Sequence, residues 1–207
     1  GGQARLAQLL PKRAEFGGII TNLTAEAERH GAVIHRRSEV TRELLLREKP
    51  DAVILATGSR PHMPPFEGEA AQIVHVADLL AGRATTGQRV VVYDWMGDWG
   101  GSGIAEKLAA EGAHVRLAVN HHCASASIQT YVRFEQVARL HKLGVEVHPW
   151  LRLYGGDGRT AYFIHTPSRE AVVMEDVDTI VLNTPNLQED GLVPVLEELG
   201  IPHELAG

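Results

Sequence analysis

Three observations predict an α/β fold: a mostly parallel central sheet with helices on both sides and an antiparallel meander added to it. Arg89–Tyr93 and His114–Val119 are apolar runs rich in β-branched side chains, with a helical segment between them. Ala52–Ala56 is a third such run, and runs of this kind suit strands buried on both faces, as in a parallel sheet. From Leu151 onward the apolar period changes to two, the period of antiparallel strands with one buried face.

The elements follow in chain order. Glu15–His30 places Phe16, Ile19, Ile20, Leu23 and Ala27 at three- and four-residue spacing, which predicts an amphipathic helix stopped by Gly31. Ala32–His35 and Val40–Leu46 are expected as short strands, and Lys49-Pro50-Asp51 as a turn feeding the buried strand Ala52–Ala56, which Thr57–Pro61 ends. Pro61, Pro64, Pro65 and Gly68 make the next stretch a linker without regular structure, and Val76–Leu80 is a short helix. A second α/β unit then runs through strand Arg89–Tyr93, a polar glycine-rich turn at Asp94–Gly101, helix Ile104–Glu111 and strand His114–Val119. Strand, helix and strand within about 30 residues form a right-handed βαβ unit. Helix Tyr131–Leu143, with Val132, Val137, Leu140 and Leu143 inward, leads through Gly144 to strand Val145–His148. Leu151–Leu153 and Ala161–Ile164 flank Gly155–Gly158, expected as a hairpin turn. Val172–Met174 adds a meander strand, Val177–Leu182 a last apolar strand and Val193–Leu199 a last helix.

With 20 Lys and Arg against 26 Asp and Glu, the net charge is -6, which argues against a nucleic-acid partner. No apolar run approaches the roughly 18 residues that span a bilayer. No charged-then-apolar leader opens the chain, so no membrane partner and a cytoplasmic setting are expected. The single cysteine, Cys123, excludes an intrachain disulfide and an iron–sulfur cluster held by several cysteines of this chain. A chain that opens on Gly1-Gly2-Gln3 and closes on Pro202–Gly207 is expected to be an excised piece of a longer protein.

A dinucleotide site on a strand–turn–helix needs glycines for a tight turn, for close approach of the backbone to a diphosphate, and for packing of helix on strand. The place for that loop is between Tyr93 and Ile104, and its sequence is Asp94-Trp95-Met96-Gly97-Asp98-Trp99-Gly100-Gly101-Ser102-Gly103. Gly97, Gly100 and Gly101 are the candidate phosphate-facing positions, but no G-x-G-x-x-G occurs in the chain. Asp94 and Asp98 would repel a diphosphate, and Trp95 and Trp99 are large enough to fill its space. Asn120 stands where an acidic residue would bind an NAD ribose. The expectation is a Rossmann-like βαβ scaffold with its loop plugged, and NAD(P)H binding is not expected.

Four features in order carry a resemblance. Gly1-Gly2-Gln3 precedes a helix; Val53–Pro61 follows, containing Ala56-Thr57-Gly58; then Val90–Tyr93 leads to Ala105-Glu106-Lys107-Leu108; last comes Gly112-Ala113-His114-Val115. This order resembles the nucleotide-binding-type C-terminal part of the trimethylamine dehydrogenase and 2,4-dienoyl-CoA reductase (NADH:flavin oxidoreductase) family. The altered loop before Ala105-Glu106-Lys107-Leu108 looks like the amine dehydrogenase branch. The resemblance implies a glutathione-reductase-type module in which an inner domain is inserted into an outer FAD- or ADP-binding domain. On that basis residues 1–60 are part of the outer domain, 61–85 a linker, 86–184 the inner NAD(P)-like domain and 185–207 the return to the outer domain. It implies a parent flavoprotein oxidoreductase with FMN, a 4Fe-4S cluster and ADP or FAD, whose catalytic residues and missing N-terminal barrel lie outside this chain. Gly2, Gln3, Thr57 and Gly58 then look like the incomplete edge of an adenine-nucleotide site. No catalytic residue, no metal site and no cofactor are expected in the 207 residues themselves.

Other candidates read as structural. His121, His122 and Cys123 are adjacent, so on an extended segment they alternate in direction, and no second ligand pair has metal-site spacing. They are expected in a solvated loop at the carboxyl edge of the sheet. Ser125 and Ser127 are expected as capping or loop residues, and Trp95, Trp99 and Trp150 as packing groups. Two other roles stay open: an NAD(P)H domain that delivers hydride to a flavin, and a docking module for an electron-transfer partner such as an electron-transfer flavoprotein.

Overall fold

The computed structural model describes residues 2–206; Gly1, the first residue of the Gly1-Gly2-Gln3 motif, and Gly207 lie outside the described residues. In chain order the elements are helices α1 (Gly2–Ala7), α2 (Phe16–Arg29) and α3 (Arg42–Glu48), strands β1 (Val53–Leu55), β2 (Ser59–Pro61), β3 (Glu67–Ala70) and β4 (Ile73–His75), and helix α4 (Val76–Leu80). Then come β5 (Arg89–Asp94), α5 (Trp99–Ala110), β6 (His114–Val119), α6 (Thr130–Lys142) and β7 (Glu146–His148). The chain continues through β8 (Leu151–Gly158), β9 (Thr160–His165), β10 (Ala171–Met174), β11 (Thr179–Asn183), β12 (Asn186–Gln188), α7 (Val193–Glu198) and β13 (His203–Leu205).

The chain divides into two compact units. One comprises the residues up to Ile20 together with Pro61–Pro185. Its centre is a five-stranded sheet in the order β4-β11-β5-β6-β7, with every neighbouring pair parallel. Alternation along β5 sends Val90 and Val92 to one face and Val91 and Tyr93 to the other, and all four are fully buried. Val90 and Val92 pack with Ile104, Leu108 and Leu140 under the helices. Val91 and Tyr93 pack with Leu151, Leu153, Ala161 and Phe163 of the meander. The second face is therefore covered by strands, where the sequence suggests helices on both. The three layers are helices, parallel sheet and meander.

The meander sheet has the order β10-β9-β8-β3. Gly155–Gly158 is not its turn: these residues belong to β8, and the reversal comes at Arg159. The glycines are needed because β3 runs parallel beside them, with Glu67 opposite Gly155 and Gly68 opposite Gly156. A Cβ on Gly155 would lie 2.1 Å from the Glu67 carbonyl oxygen, and one on Gly68, at φ +85, would lie 2.2 Å from the Gly156 carbonyl oxygen. The expected linker is thus irregular only at residues 62–66; β4 beyond it joins the main sheet. Helix α6 forms as expected but with a different buried side. Gln136 and Leu140 are buried, whereas Val137 and Leu143 are 37% and 39% exposed.

The second unit comprises Thr21–Arg60 and the residues from Asn186 onward. Two expected strands are absent from it. Residues 32–35 have no regular structure, and Val33 is 78% exposed. The run at Val40–Leu46 lies largely within helix α3, whose start is capped by Thr41 Oγ1 accepting from Leu44 N–H at 3.3 Å. Leucine, glutamate and arginine are good helix formers, and with a threonine cap they outweigh the short apolar run. β1 and β13 form a two-stranded parallel sheet with Val53 opposite His203. Leu55 packs with Leu45 and Leu196 on one side of it. The strand is not buried on both faces, because Ile54 is 74% exposed. Among the described residues no helix is long and apolar enough to cross a membrane.

Candidate functional site

The carboxyl ends of parallel strands are where α/β folds bind ligands, and here that edge is formed at the junction of β5, β11 and α5. Helix α5 begins at Trp99, five residues earlier than the sequence suggests. Gly100 and Gly101 therefore lie in its first turn, and only Gly97 remains in the connecting loop, at φ +64.

Asp94, the last residue of β5, is fully buried. Its Oδ1 accepts the Gly97 N–H at 2.9 Å and the Asn183 side-chain N–H at 2.8 Å. Asp98 caps α5: its Oδ1 accepts the Gly100 N–H at 2.8 Å and a second Asn183 Nδ2 contact at 2.9 Å. One amide thus bridges two carboxylates. Asp94 Oδ2 is buried without a hydrogen-bond partner. Burial pushes the Asp94 carboxyl up to about 6; the hydrogen bonds from Asn183 and Gly97 oppose this, and the nearby charge of Asp98 adds to it.

The glycines let the chain close on these side chains. A Cβ on Gly101 would sit 2.3 Å from Asp94 Cγ, one on Gly100 2.5 Å from Asn183 Oδ1, and one on Gly97 2.7 Å from His121 Cδ2. The space that a fingerprint glycine opens to a ligand is here filled by protein. The loop is further tied down. Asn120 N–H donates to the Asp94 carbonyl at 3.0 Å, Trp95 N–H to the Asn183 carbonyl at 2.9 Å and Ser127 N–H to the Gly97 carbonyl at 2.9 Å. His121 Nε2 lies 2.9 Å from the Trp95 carbonyl, so that nitrogen carries the proton.

Trp95 and Trp99 pack, as expected, in different places, whereas Trp150 is 39% exposed. Trp95 joins the cluster of Tyr93 and Phe163 below the meander. Trp99 lies against the helix-side core with the Arg13 guanidinium 3.5 Å above its ring. Trp150 meets His122 at 6.0 Å between ring centroids. Among the described residues, no three metal-ligating side chains converge. Ser127 is a loop residue whose hydroxyl donates to the Met96 carbonyl at 3.0 Å.

Sequence reasoning missed a buried polar network beneath the helices. Ser125 Oγ lies 2.7 Å from Ser102 Oγ and 3.1 Å from Gln136 Oε1. The geometry fits Ser102 donating to Ser125 and Ser125 donating to Gln136. Arg139 of α6 grips Glu106 of α5 through Nε at 2.6 Å and Nη2 at 3.1 Å. The signal available for this pair was Glu106 on the otherwise apolar face of a helix.

The four residues of the expected adenine-nucleotide edge are all exposed. Gly2 and Gln3 open α1 in the first unit. Thr57 and Gly58 lie in the second, where Thr57 Oγ1 donates to the Glu189 carbonyl at 2.5 Å and Glu189 N–H to the Gly58 carbonyl at 2.9 Å. Gly58 has φ +83 and open space around its Cβ position.

No family model matches the chain. A probable N-methylproline demethylase of Rhizobium meliloti is 34% identical over 117 residues, which is 56% of this chain and 17% of that protein. An NADH oxidase of Thermoanaerobacter brockii is 29% identical over 148 residues, 70% of this chain and 23% of that protein. Histamine dehydrogenase from Rhizobium sp. 4-9 superimposes with a TM-score of 0.86 at 22% identity, over all of this chain and 35% of its own. The chain thus spans about a fifth of the length of these curated relatives. In sequence over part of its length, and in fold over all of it, the chain is thus similar to proteins named as a demethylase, an oxidase and a dehydrogenase, in line with the resemblance to the trimethylamine dehydrogenase and 2,4-dienoyl-CoA reductase family.

Proposed function

We propose that these 207 residues are a nucleotide-binding-type scaffold of a flavin-dependent, amine-dehydrogenase-like oxidoreductase and catalyse no reaction alone. The observation that carries this reading is the closed start of α5. Asp94 and Asp98, bridged by Asn183, sit where a dinucleotide diphosphate would meet the helix. Such a loop does not fit NAD(P)H. Gly97, Gly100 and Gly101 serve packing in this reading, not phosphate binding.

The open faces support a larger parent. Parallel sheets are normally covered on both sides, yet β1 and β13 form an isolated pair with Ile54 outward. Helix α2 has its apolar stripe but buries none of its residues. On this reading residues 1–60 and 185–207 belong to an outer domain, 86–184 to an inner one, and 61–85 join them. An outer site for ADP or FAD would use Thr57 and Gly58 of the second unit at its edge, with the diphosphate donors supplied by the rest of the parent. FMN, a 4Fe-4S cluster and a barrel would likewise belong to the parent, in the cytoplasm. The single cysteine of this chain leaves such a cluster to other residues.

A docking role is a second reading. It is favoured by Tyr131 and Phe134, 73% and 68% exposed on α6, which would suit an electron-transfer flavoprotein or the barrel. Calorimetry with NADH, NADPH, ADP and FAD at millimolar concentration tests the main reading. Silence with both nicotinamide nucleotides is expected. Tight NADH or NADPH binding would overturn it and make this a hydride-delivering domain.

A further inference from the structure

We propose that the cavity beside the edge strand β4 binds a small neutral amide: an apolar body carrying a carbonyl and an N–H side by side, held between His75 and Asp78. The proposal goes beyond the reading above and does not depend on it, because no residue at the start of α5 lines this cavity.

The cavity has a volume of about 500 Å³ and lies wholly within the first unit. It runs along β4 and reaches Leu182 of β11, which stands opposite His75 towards the carboxyl ends of the two strands. That edge is where α/β sheets take ligands. The size is that of a small-molecule site, and such sites combine apolar walls with a few placed polar groups. Met63, Ile73, Val74 and Leu182 supply apolar wall, and His62, His75, Asp78 and Arg83 the polar groups.

The polar groups decide what fits. His75 Nδ1 accepts the Ala77 N–H at 3.1 Å, so Nε2 carries the ring proton. That second N–H is buried without a hydrogen-bond partner. Buried donors are nearly always satisfied, and a ligand carbonyl seated in the cavity would supply the acceptor that the fold omits. Three residues on, Asp78 Oδ1 accepts from Arg83 Nε at 2.9 Å and from Arg83 Nη2 at 2.7 Å, which leaves Oδ2 to accept from a ligand N–H. Asp78 and Arg83 bring opposite charges, and burial holds the His75 imidazole below its usual range against the pull of Asp78. A carboxylate or an ammonium group would lose hydration here without a free counter-charge. A carbonyl acceptor beside an N–H donor, with no net charge, is the hydrogen-bonding edge of an amide.

The test is titration of the 207-residue chain followed by backbone-amide NMR, with benzamide as the probe and benzoate and acetophenone as controls. Benzamide is expected to shift signals of residues 73–83 with a dissociation constant on the order of 1 mM, the range open to so small a ligand. It should bind at least about fivefold more tightly than either control, the scale of one hydrogen bond. Asp78→Ala removes the second acceptor and releases Arg83. Benzamide should then weaken by about fivefold and benzoate should overtake it, a reversal that lost packing would not produce. His75→Asn keeps an oxygen to cap the Ala77 N–H but removes the imidazole donor, and should weaken benzamide by a similar factor at an unchanged melting temperature. Equal binding of benzamide and acetophenone would mean that the cavity reads apolar bulk alone and would overturn the proposal, as would the absence of any shift in these signals. Should H75N not fold, an unreversed preference in D78A decides against it in the same way. Tight NADH or NADPH binding at the start of α5 sinks the proposed function and leaves this site standing, whereas a cavity silent to benzamide sinks only this one.

Discussion

Asn183, at the end of β11, donates its side-chain N–H to Asp94 Oδ1 at 2.8 Å, while its backbone carbonyl accepts the Trp95 N–H at 2.9 Å. One residue thus closes the carboxyl ends of two neighbouring parallel strands. Removing its side chain leaves a buried carboxyl with one donor fewer and separates Asp98 from it. Asn183→Ala is expected to lower stability by about 2–3 kcal/mol, the scale of a buried hydrogen bond to a charged group plus the orphaned partner. Asn183→Asp has the same shape but adds a third carboxyl, and its loss should be larger. Urea midpoints at pH 7 order the three proteins.

The Asp94 carboxyl titrates at about 6 in the fold against its ordinary 3.8. The folded state holds this proton more tightly than the unfolded one. Its contribution is therefore fully favourable below about pH 4, declines as pH rises towards 6, and is lost above that. The swing is on the order of 3 kcal/mol, at about 1.4 kcal/mol for each tenfold difference in proton affinity between the two states. Asp94→Asn removes it. The difference in stability between wild type and D94N, followed from about pH 4 to about pH 8, should change through this window and be flat above it. A difference that is constant across the range would refute the assignment.

Glycines that look alike in sequence should respond oppositely to alanine. At Gly155 the added methyl meets the Glu67 carbonyl oxygen at 2.1 Å, which is backbone and cannot swing aside. Gly155→Ala should cost more than about 2 kcal/mol, as overpacking and backbone strain do. Amide exchange in β3 should speed up first. Gly18 lies in α2 with nothing within 4 Å of its Cβ position. There alanine should stabilise by about 0.5–1 kcal/mol through helix propensity alone.

The parallel core was legible because burial on both faces selects continuous β-branched runs, and Val90, Val91, Val92 and Tyr93 carry that signal without ambiguity. The carboxylates at the start of α5 were legible, through Asp94 and Asp98. Their partner was not, because Asn183 lies 89 residues from Asp94 and only the β5–β11 pairing joins them. Gly155–Gly158 was misread because glycines that relieve a close strand contact have the same letters as glycines in a turn. Val40–Leu46 was misread because a short apolar run has no decisive period, and the capping threonine settles the matter in favour of α3.

Leu23 in α2 and Leu140 in α6 both sit at helical spacing from other apolar residues, and nothing local tells them apart. Leu140 is fully buried in the helix-side core; Leu23 is 64% exposed. In the 207-residue chain, Leu140→Ala should lose about 3 kcal/mol by transfer and cavity terms together. Leu23→Lys should stay within about 0.5 kcal/mol of wild type, as a surface change does. The decisive comparison is Leu23→Lys in a longer protein of the kind proposed above. If the stripe of Ile19 and Leu23 is covered there, the same substitution should cost about 2 kcal/mol or more, because a charge would be carried into an apolar contact. Equal tolerance in both settings would mean that the stripe stays open, and that α2 is a helix held by its ends rather than by its face.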